Sequence, residues 1–328
     1  MKGFLKNSLK GVIFVVGLSV LIAISSLAII PRNNREEDWK HDVQAHGILA
    51  EPENTIDVLF LGDSEVYSSI NPLRIWQNYG YTSYCCSSSK QRLWYTIEFF
   101  FMTLSSQQPK IVFMETNNIF KFFPLEETML HAADLPIPLI KYHDRWKNYN
   151  FEELFRTPDY THIENRKGYR LYKESDPADV EGYMEEDEDS AYISLTNMTY
   201  IKIIADTCRE NGAKLVFLST PSTKNWNMKK HNRIVQLSEE LGADYIDMNL
   251  LLEEVPIDWN KDTRDMGDHM NYFGAEKVTA YLGKYLSETG ILTNHKDDPE
   301  YAGWNRCLKT FTDDVDKWLR TLKADEAG

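Results

Sequence analysis

The sequence predicts an α/β protein whose central parallel sheet is buried on both faces. Four short runs rich in apolar residues recur along the chain, at 56–61, 110–114, 214–218 and 244–248. Segments between and after these runs carry apolar residues at helical spacing. Apolar strands that alternate with amphipathic helices are typical of a doubly wound sheet. We therefore expect a doubly wound α/β domain with helices on both faces of the sheet.

The N-terminal segment predicts a transmembrane helix. Residues 11–31 contain no charged side chain, and about 20 apolar residues span a bilayer as a helix. Lys2, Lys6 and Lys10 precede the segment. The positive-inside rule keeps them cytoplasmic and predicts a single-pass protein of the cell membrane with an extracytoplasmic body. A cleaved signal peptide is the alternative, although the apolar stretch exceeds the usual signal core of ~7–15 residues.

This pattern divides the chain into segments. Residues 1–31 form the cytoplasmic tip and the anchor, and the polar residues 32–53 form a stalk. We expect residues 54–295 to form the α/β domain, with an insertion at about 121–197 that shapes one wall of the functional site. Residues 296–328 form a C-terminal helical tail, whose regularly spaced apolar residues pack back on the domain.

Three amphipathic helices are predicted in the domain after the insertion. Each has an apolar face, and the first two end at a glycine. The faces are Ile201, Ile204, Ala205 and Cys208 before Gly212; Ile234, Leu237 and Leu241 before Gly242; and Val278, Tyr281, Leu282, Tyr285 and Leu286.

Charge and cysteine spacing exclude two classes of function. The 328 residues contain 36 Lys and Arg against 50 Asp and Glu, a net charge of −14. A chain this acidic is a poor match for nucleic acid, so we expect no nucleic-acid partner. The four cysteines (Cys85, Cys86, Cys208 and Cys307) show no metal-ligand spacing, and we expect most of them to be small buried residues.

Ser64 lies where the first predicted strand gives way to a turn, within Gly62-Asp63-Ser64. The carboxyl ends of the strands are where doubly wound sheets bind ligands. A serine at this place is exposed to a base from another loop and is a candidate nucleophile. The alternative is a serine that only caps the following helix.

His269 is the candidate general base, because it comes just before a late predicted helix. Imidazole titrates near neutrality, so it takes a proton from a serine and returns it to a leaving group. Its other ring nitrogen needs an acceptor to orient it. Asp265 and Asp268 are the local candidates. We favour Asp265, since the side chain of a directly adjacent residue tends to point the other way.

These two segments resemble the SGNH (GDSL-like) hydrolase and acyltransferase superfamily. Its first block is Gly-Asp-Ser after the first strand, and its last is Asp-x-x-His before a helix. Here the last block reads Asp265-Met266-Gly267-Asp268-His269, with one residue more than that spacing. The resemblance covers roughly residues 54–125 and 200–290. It implies a three-layer α/β/α fold of flavodoxin-like architecture. It also implies a catalytic triad of Ser64, His269 and Asp265 or Asp268, with no metal or organic cofactor.

The resemblance also implies an oxyanion hole. In this superfamily an asparagine side chain and a glycine backbone N–H supply it. Asn117 stands in the asparagine place, while Glu115 stands where glycine is usual in that block. The other block lacks its glycine, so the resemblance implies a backbone N–H of Ser87 or Ser88 instead.

The anchor and layout are most similar to the extracytoplasmic group that includes the teichoic acid D-alanylation protein DltD and the alginate O-acetylation proteins AlgJ and AlgX. The resemblance implies a serine O-acyltransferase or esterase for acyl groups, of acetyl or D-alanyl type, on a cell-surface polymer. It also implies a membrane-bound O-acyltransferase as partner. A carbohydrate or lipid esterase and a non-catalytic polymer-binding scaffold of the same fold are the alternatives.

One cluster in the insertion is a candidate for contacting the polymer. His143, Arg145 and Trp146 lie within Tyr142-His143-Asp144-Arg145-Trp146. An indole stacks on a sugar, and a guanidinium holds a phosphate or carboxylate. With Asp63 they complete the predicted substrate-binding residues. The alternative for the cluster is a partly buried structural network.

Overall fold

Five parallel strands form the sheet of the larger of two units. The computed structural model describes residues 2–35, 43–122, 127, 129, 137–147 and 149–327. The strands are β1 (Val58–Gly62), β2 (Ser83–Ser87), β3 (Ile111–Glu115), β4 (Lys214–Ser219) and β5 (Asp244–Asp247). Their order is β2-β1-β3-β4-β5, with all neighbours parallel. This is the flavodoxin-like order, so the predicted fold class is confirmed.

Helices follow most strands. In chain order they are α1 (Lys2–Ile29), α2 (Val43–His46), α3 (Ser64–Ser69), α4 (Pro72–Tyr79), α5 (Leu93–Leu104), α6 (Pro138–Lys141), α7 (Leu195–Glu210), α8 (Met228–Leu241), α9 (Tyr272–Thr289) and α10 (Ala302–Ala327). The helices predicted after the insertion correspond to α7, α8 and α9. As predicted, α8 ends at a left-handed glycine, Gly242.

The two faces of the sheet bury separate hydrophobic clusters. Leu59 and Leu61 of β1 belong to one cluster, whereas Val58 and Phe60 belong to the other. Helices α5, α7 and α8 contribute to the first cluster, while α3 and α9 contribute to the second. Side chains alternate across a strand, so a run that is apolar at every position is the expected signature of this three-layer core.

Strand β2 is one that the sequence pattern did not reveal. It reads Ser-Tyr-Cys-Cys-Ser, and all five residues are buried. The Tyr84 hydroxyl donates to the Gln44 carbonyl at 2.7 Å, and the Cys85 amide donates to the Lys167 carbonyl at 3.0 Å. Because its side chains are mostly small and its tyrosine hydroxyl has a partner, the strand is buried without an apolar sequence signal.

The folded unit begins earlier than the sequence predicts. Residues 43–50 fall in the predicted stalk, yet they form α2 and a 3₁₀ turn, Gly47–Ala50. Ala45 and Ile48 are fully buried in the first cluster. Two fully buried apolar residues are too few to give a periodic pattern, so the sequence predicts a stalk where the structure has a folded segment.

The smaller unit contains residues from the ranges 1–40 and 122–162. In α1, residues Asn7–Ile29 are long and apolar enough to cross a membrane, as a single-pass anchor or as a signal sequence. Helix α6 and the 3₁₀ turns His143–Lys147 and Phe151–Phe155 belong to the same unit.

The segment from Asp265 to His269 lies in a two-stranded hairpin. Strands β6 (Thr263–Arg264) and β7 (His269–Met270) pair antiparallel, and α9 follows directly. Asn271 caps α9, since its side chain accepts from the amides of Phe273 and Gly274. The hairpin therefore fixes His269 between a strand pair and a capped helix.

Candidate active site

Ser64 is the first residue of α3, and Asp63 alone separates it from Gly62, the last residue of β1. The Asp63 side chain caps the helix by accepting from the Glu65 amide at 3.0 Å. This strand-to-helix turn follows local rules, namely a buried strand, a glycine and an Asp N-cap. It leaves the Ser64 side chain partly exposed, while Asp63 is fully buried.

His269 lies after a loop of unusual backbone conformation. Asp265, Met266 and Gly267 have φ values of 54°, 57° and 90°, all in the left-handed region. This region is strained for residues other than glycine. The turn accommodates the additional residue between Asp265 and His269 and brings the Asp265 carboxylate back to the imidazole.

The structure brings the serine, the histidine and both aspartates together. His269 Nε2 lies 2.8 Å from Ser64 Oγ, and His269 Nδ1 lies 3.1 Å from Asp265 Oδ2. Asp268 Oδ2 is 3.5 Å from the same Nδ1. The shorter contact makes Asp265 the hydrogen-bonded orienter in this geometry, with Asp268 as a second, weaker neighbour. A proton on Nδ1 leaves Nε2 free to accept from the serine hydroxyl.

Arg264 holds Asp265 from the other side. Its guanidinium pairs with the Asp265 carboxylate and donates to Ser68 Oγ at 2.9 Å. The guanidinium carbon also lies 3.6 Å from the centre of the Tyr172 ring, a cation–π stack. Sequence analysis did not identify Arg264, because its role depends on groups brought together only by the fold.

The imidazole is tuned toward its neutral form. Burial lowers the pKa of His269 below its usual 6.5, and the positive charge of Arg264 lowers it further, while Asp268, Asp63 and Asp265 oppose this shift. A neutral imidazole at physiological pH is the form that accepts a proton.

Asn225 connects the nucleophile segment to the histidine loop. Its side-chain Nδ2 donates to Glu65 Oε1 at 2.8 Å and also to Asp268 Oδ1. The loop after β4 holds the histidine loop at two further points: Ser222 Oγ donates to the Asp268 carbonyl at 2.9 Å, and the Thr223 amide donates to the Gly267 carbonyl at 3.0 Å. No sequence motif marks Asn225.

Glu65, Asp268 and His269 also have the spacing of a cation site. One ligand atom from each lies within 4.8 Å of the others. The Asn225 amide group, however, donates to both carboxylates. Because N–H donors repel a cation, the arrangement suits an amide bridge better than a metal ion.

A cluster of buried charges lies behind Ser64. Lys121 pairs with Asp63, and Lys230 Nζ donates to the Asn225 carbonyl at 2.6 Å. Burial, with Asp63 as the next cause, raises the pKa of both Glu65 and Glu115 well above the usual range. Burial likewise lowers the pKa of Lys230. These opposite shifts have one origin, the removal of charged groups from water.

The side-chain amide of Asn117, the predicted oxyanion donor, is fixed by its neighbours. Its Oδ1 accepts from Lys230 Nζ at 3.5 Å, and its Nδ2 donates to Asp63 Oδ2 at 3.3 Å. Its amide donates to Glu115 Oε1 at 2.5 Å. These contacts fix which end of the side-chain amide carries the N–H groups, and one of its two N–H bonds remains beyond that made to Asp63.

The two predicted serine donors have different surroundings. The Ser88 amide donates to Gln91 Oε1 at 2.8 Å, so this N–H is committed elsewhere and does not serve the oxyanion hole in this structure. Ser87 is the last residue of β2, beside Gly62, and is buried. Its hydroxyl has no hydrogen-bond partner among the described residues.

The predicted polymer-contacting residues His143, Arg145 and Trp146 belong to the smaller unit. Arg145 is 3% exposed, and its guanidinium donates to the Ile29 carbonyl at 2.5 Å and to Glu153 Oε2 at 2.7 Å. It is therefore a buried structural group and not an exposed anion-binding one. His143 and Trp146 are exposed.

Comparisons with known proteins find similarity at the level of structure. No family profile and no curated protein matches the chain. A structure from Desulfitobacterium hafniense, described as a lipolytic protein of the G-D-S-L family, is 12% identical, with a TM-score of 0.40, and covers 70% of this chain and 99% of its own. A lipase/acylhydrolase from Enterococcus faecalis is 9% identical, with a TM-score of 0.40 and coverages of 73% and 98%. The esterase EstA from Pseudoalteromonas is 10% identical, with a TM-score of 0.37 and coverages of 71% and 97%.

Proposed function

We propose that this chain is a membrane-anchored, extracytoplasmic serine O-acyltransferase or esterase that acts on acyl groups of a cell-surface polymer. The observation that carries the chemistry is the continuous relay from Ser64 Oγ through His269 to Asp265, with contacts of 2.8 and 3.1 Å. A serine, an imidazole and a carboxylate in this order activate a hydroxyl for attack on an acyl carbon.

In the first half-reaction, Ser64 Oγ attacks the carbonyl carbon of an ester or thioester while His269 Nε2 takes the hydroxyl proton. Asp265 stabilises the imidazolium that forms. The Ser64 amide at the start of α3 and the Asn117 side-chain N–H are the proposed donors to the oxyanion, with the Ser87 amide as a third. His269 then returns the proton to the departing oxygen or sulfur, and an acyl-serine remains.

In the second half-reaction, a hydroxyl of a sugar or polyol (transfer) or water (hydrolysis) attacks the acyl-serine. His269 takes the proton of this nucleophile and returns it to Ser64 Oγ as the bond to serine breaks. Both outcomes use the same residues. The choice depends on how well the acceptor competes with water at the open side of Ser64.

The proposed location follows from α1. Lys2, Lys6 and Lys10 before the apolar segment favour a cytoplasmic N-terminus, and the length of the segment favours a retained anchor. Outside the cell, a donor of activated acyl groups has to come through the membrane. This supports a membrane-bound O-acyltransferase as the proposed partner.

Labelling with a fluorophosphonate tests the nucleophile, because this probe reacts with activated serines. The wild type should be labelled covalently, whereas Ser64→Ala and His269→Gln should lower the labelling rate by on the order of 10⁴-fold. Ser190→Ala is a matched control at an exposed serine that accepts a hydrogen bond from Gln236. Equal, slow labelling of all four proteins would support the non-catalytic scaffold instead.

A partitioning experiment separates transfer from hydrolysis. The purified protein is given p-nitrophenyl acetate with increasing glycerol, and both free acetate and acetylated glycerol are measured. With a transferase, the ratio of acetylated glycerol to free acetate should clearly exceed the molar ratio of glycerol to water. Ser64→Ala should form no acetylated glycerol. Release of free acetate alone at every glycerol concentration would make the chain an esterase.

A further inference from the structure

Three aromatic side chains of the smaller unit are exposed in a way that their neighbourhood does not explain. Trp146, Phe151 and Phe155 are 69%, 70% and 76% exposed. The rings of Phe151 and Phe155 lie edge to face, with centroids 5.9 Å apart. We call these three residues the aromatic cluster. Large exposed apolar groups that share one surface mark a contact with a protein partner or a membrane.

An ion pair between the buried Arg145 and the half-buried Glu153 connects the parts of this cluster. Arg145, next to Trp146, donates to Glu153 at 2.7 Å, and Glu153 lies in the same 3₁₀ turn as Phe151 and Phe155. The Glu153 side chain also completes a capping box with Asn150. The ion pair and the capping box form a framework that holds the aromatic cluster in place.

The same framework is attached to the end of α1. Arg145 donates to the carbonyl of Ile29, the last residue of α1, and so satisfies one of the free carbonyls at the helix end. The Leu139 amide donates to Ser26 Oγ at 3.3 Å, and the Tyr160 hydroxyl donates to the Pro31 carbonyl at 3.4 Å. Ser26 and Ile29 are buried by these contacts, whereas Val12, Phe14 and Leu21 are more than half exposed.

The length of α1 places this attachment at a specific depth. From Gly11 to Ile29 the helix rises about 28 Å at 1.5 Å per residue. The hydrocarbon core is about 30 Å thick, so a helix with Lys10 at the cytoplasmic boundary has Ile29 close to the outer one. A segment packed on Ser26 and Ile29 then lies at the level of the outer headgroups. Trp is enriched at this level, where an amphipathic ring contacts both hydrocarbon and water.

We propose that the aromatic cluster is a second membrane contact, which inserts Trp146, Phe151 and Phe155 into the outer headgroup region beside the anchor. The occupant of this surface is the lipid bilayer. This inference rests on the proposed retention of α1 as an anchor. It replaces the role in polymer binding that the sequence predicts for Trp146.

Quenching of tryptophan fluorescence by brominated lipid tests the proposal. The full-length protein is placed in phosphatidylcholine nanodiscs with or without lipid brominated at shallow acyl carbons. The fluorescence difference between wild type and Trp146→Phe reports Trp146 alone. We expect brominated lipid to reduce this difference at least twofold. Phe151→Trp in the Trp146→Phe background should regain a quenched signal at a second position of the cluster.

Two further measurements distinguish failure of the lipid contact from failure of the anchor or of the serine chemistry. Retention of the protein after alkaline carbonate washing reports the anchor, and fluorophosphonate labelling of the same sample reports the Ser64 site. Retained, labelled protein with no quenching of the Trp146 signal would overturn the lipid contact alone. Unquenched Trp146 fluorescence that changes on addition of a soluble surface polymer would favour the polymer instead. Release by carbonate would overturn the anchor and this contact, and would leave the serine chemistry standing.

Discussion

The two loops that meet at the candidate active site are built on different principles. The nucleophile turn runs from β1 through Asp63 to α3 by ordinary strand, cap and helix geometry. The histidine loop instead places Asp265, Met266 and Gly267 in consecutive left-handed conformations. Contacts from Ser222, Thr223, Lys224 and Asn225 hold this loop in place.

This difference shows that local sequence is enough to position the nucleophile turn, whereas the histidine loop needs tertiary contacts. The position of Ser64 follows from its own neighbours in the chain, so substitutions elsewhere should shift it little. The position of His269 is set by a strained turn and by these hydrogen bonds from the loop after β4, which we call the clasp. Variants of that clasp should therefore damage the relay, while those at the helix cap should act mainly on stability.

The largest expected contrast is between the two aspartates. Asp265→Asn should lower fluorophosphonate labelling by about 10²–10⁴-fold, because it removes the charge that supports the imidazolium and favours the wrong tautomer. Asp268→Asn should cost about tenfold or less, since its oxygen lies 3.5 Å from Nδ1 and not 3.1 Å. Second-order labelling rates give both values. A larger loss at Asp268 would reassign the orienting role.

Asn225→Ala should have the next largest effect. It leaves Glu65 and Asp268 without their shared donor, and an unsatisfied buried group costs about 1–3 kcal/mol. We expect labelling to slow by about tenfold. In an Asp268→Asn background the added effect should be smaller, since Asn225 acts partly through Asp268. Asn211→Ala, at an exposed asparagine that caps the C-terminus of α7, is the control; equal losses for Asn211 and Asn225 would argue against the bridge.

Gly267→Ala tests the strain in the histidine loop. A β-carbon at Gly267 would lie 2.3 Å from Thr223 Oγ1 and 2.6 Å from the Ala178 β-carbon, at a φ of 90°. The free energy of unfolding should fall by about 1–3 kcal/mol. The rate of fluorophosphonate labelling should also fall, because the substitution would disrupt the hydrogen bonds of the clasp. Urea unfolding measures the first effect. Gly212→Ala, whose β-carbon would meet nothing within 4 Å at a φ of 69°, separates backbone strain from the clash.

The smallest expected effect is a shift in pH dependence. Burial lowers the pKa of His269, so its neutral, reactive form is gained as pH rises through a value below 6.5. The labelling rate should therefore reach half its plateau below pH 6.5. Arg264→Gln removes a charge that lowers this pKa and should move the midpoint upward, whereas Asp268→Asn should move it downward. Shifts in the opposite directions would contradict the proposed electrostatics.

Much of the fold could be predicted from the sequence, because three of the five strands, β1, β3 and β4, are apolar at nearly every position. The candidate nucleophile and base could be singled out because Ser64 follows the first strand and His269 precedes a late helix; their catalytic roles remain predictions. Strand β2 could not be predicted because its buried residues are serines, cysteines and a tyrosine and not an apolar run. The segment 43–50 could not be predicted because its two fully buried apolar residues, Ala45 and Ile48, give no periodic pattern.

The network around the relay could not be predicted for a related reason. Glu65, Asn225 and Arg264 act through partners that are distant in sequence or through stacked rings, and no spacing identifies them. Ser88 illustrates the opposite error. Its position in the chain suited an oxyanion donor, but Gln91, three residues later, takes its amide hydrogen bond.

Gly62 and Glu115 end neighbouring strands, β1 and β3. A β-carbon at Gly62 would lie 2.5 Å from the β-carbon of Glu115 and 2.5 Å from Val66 Cγ2. The two positions are thus coupled: a β-carbon at 115 leaves no room for one at 62. Glycine at 115 would remove that clash and leave the one with Val66. Sequences related to this one should therefore carry a residue other than glycine at 115 only together with glycine at 62.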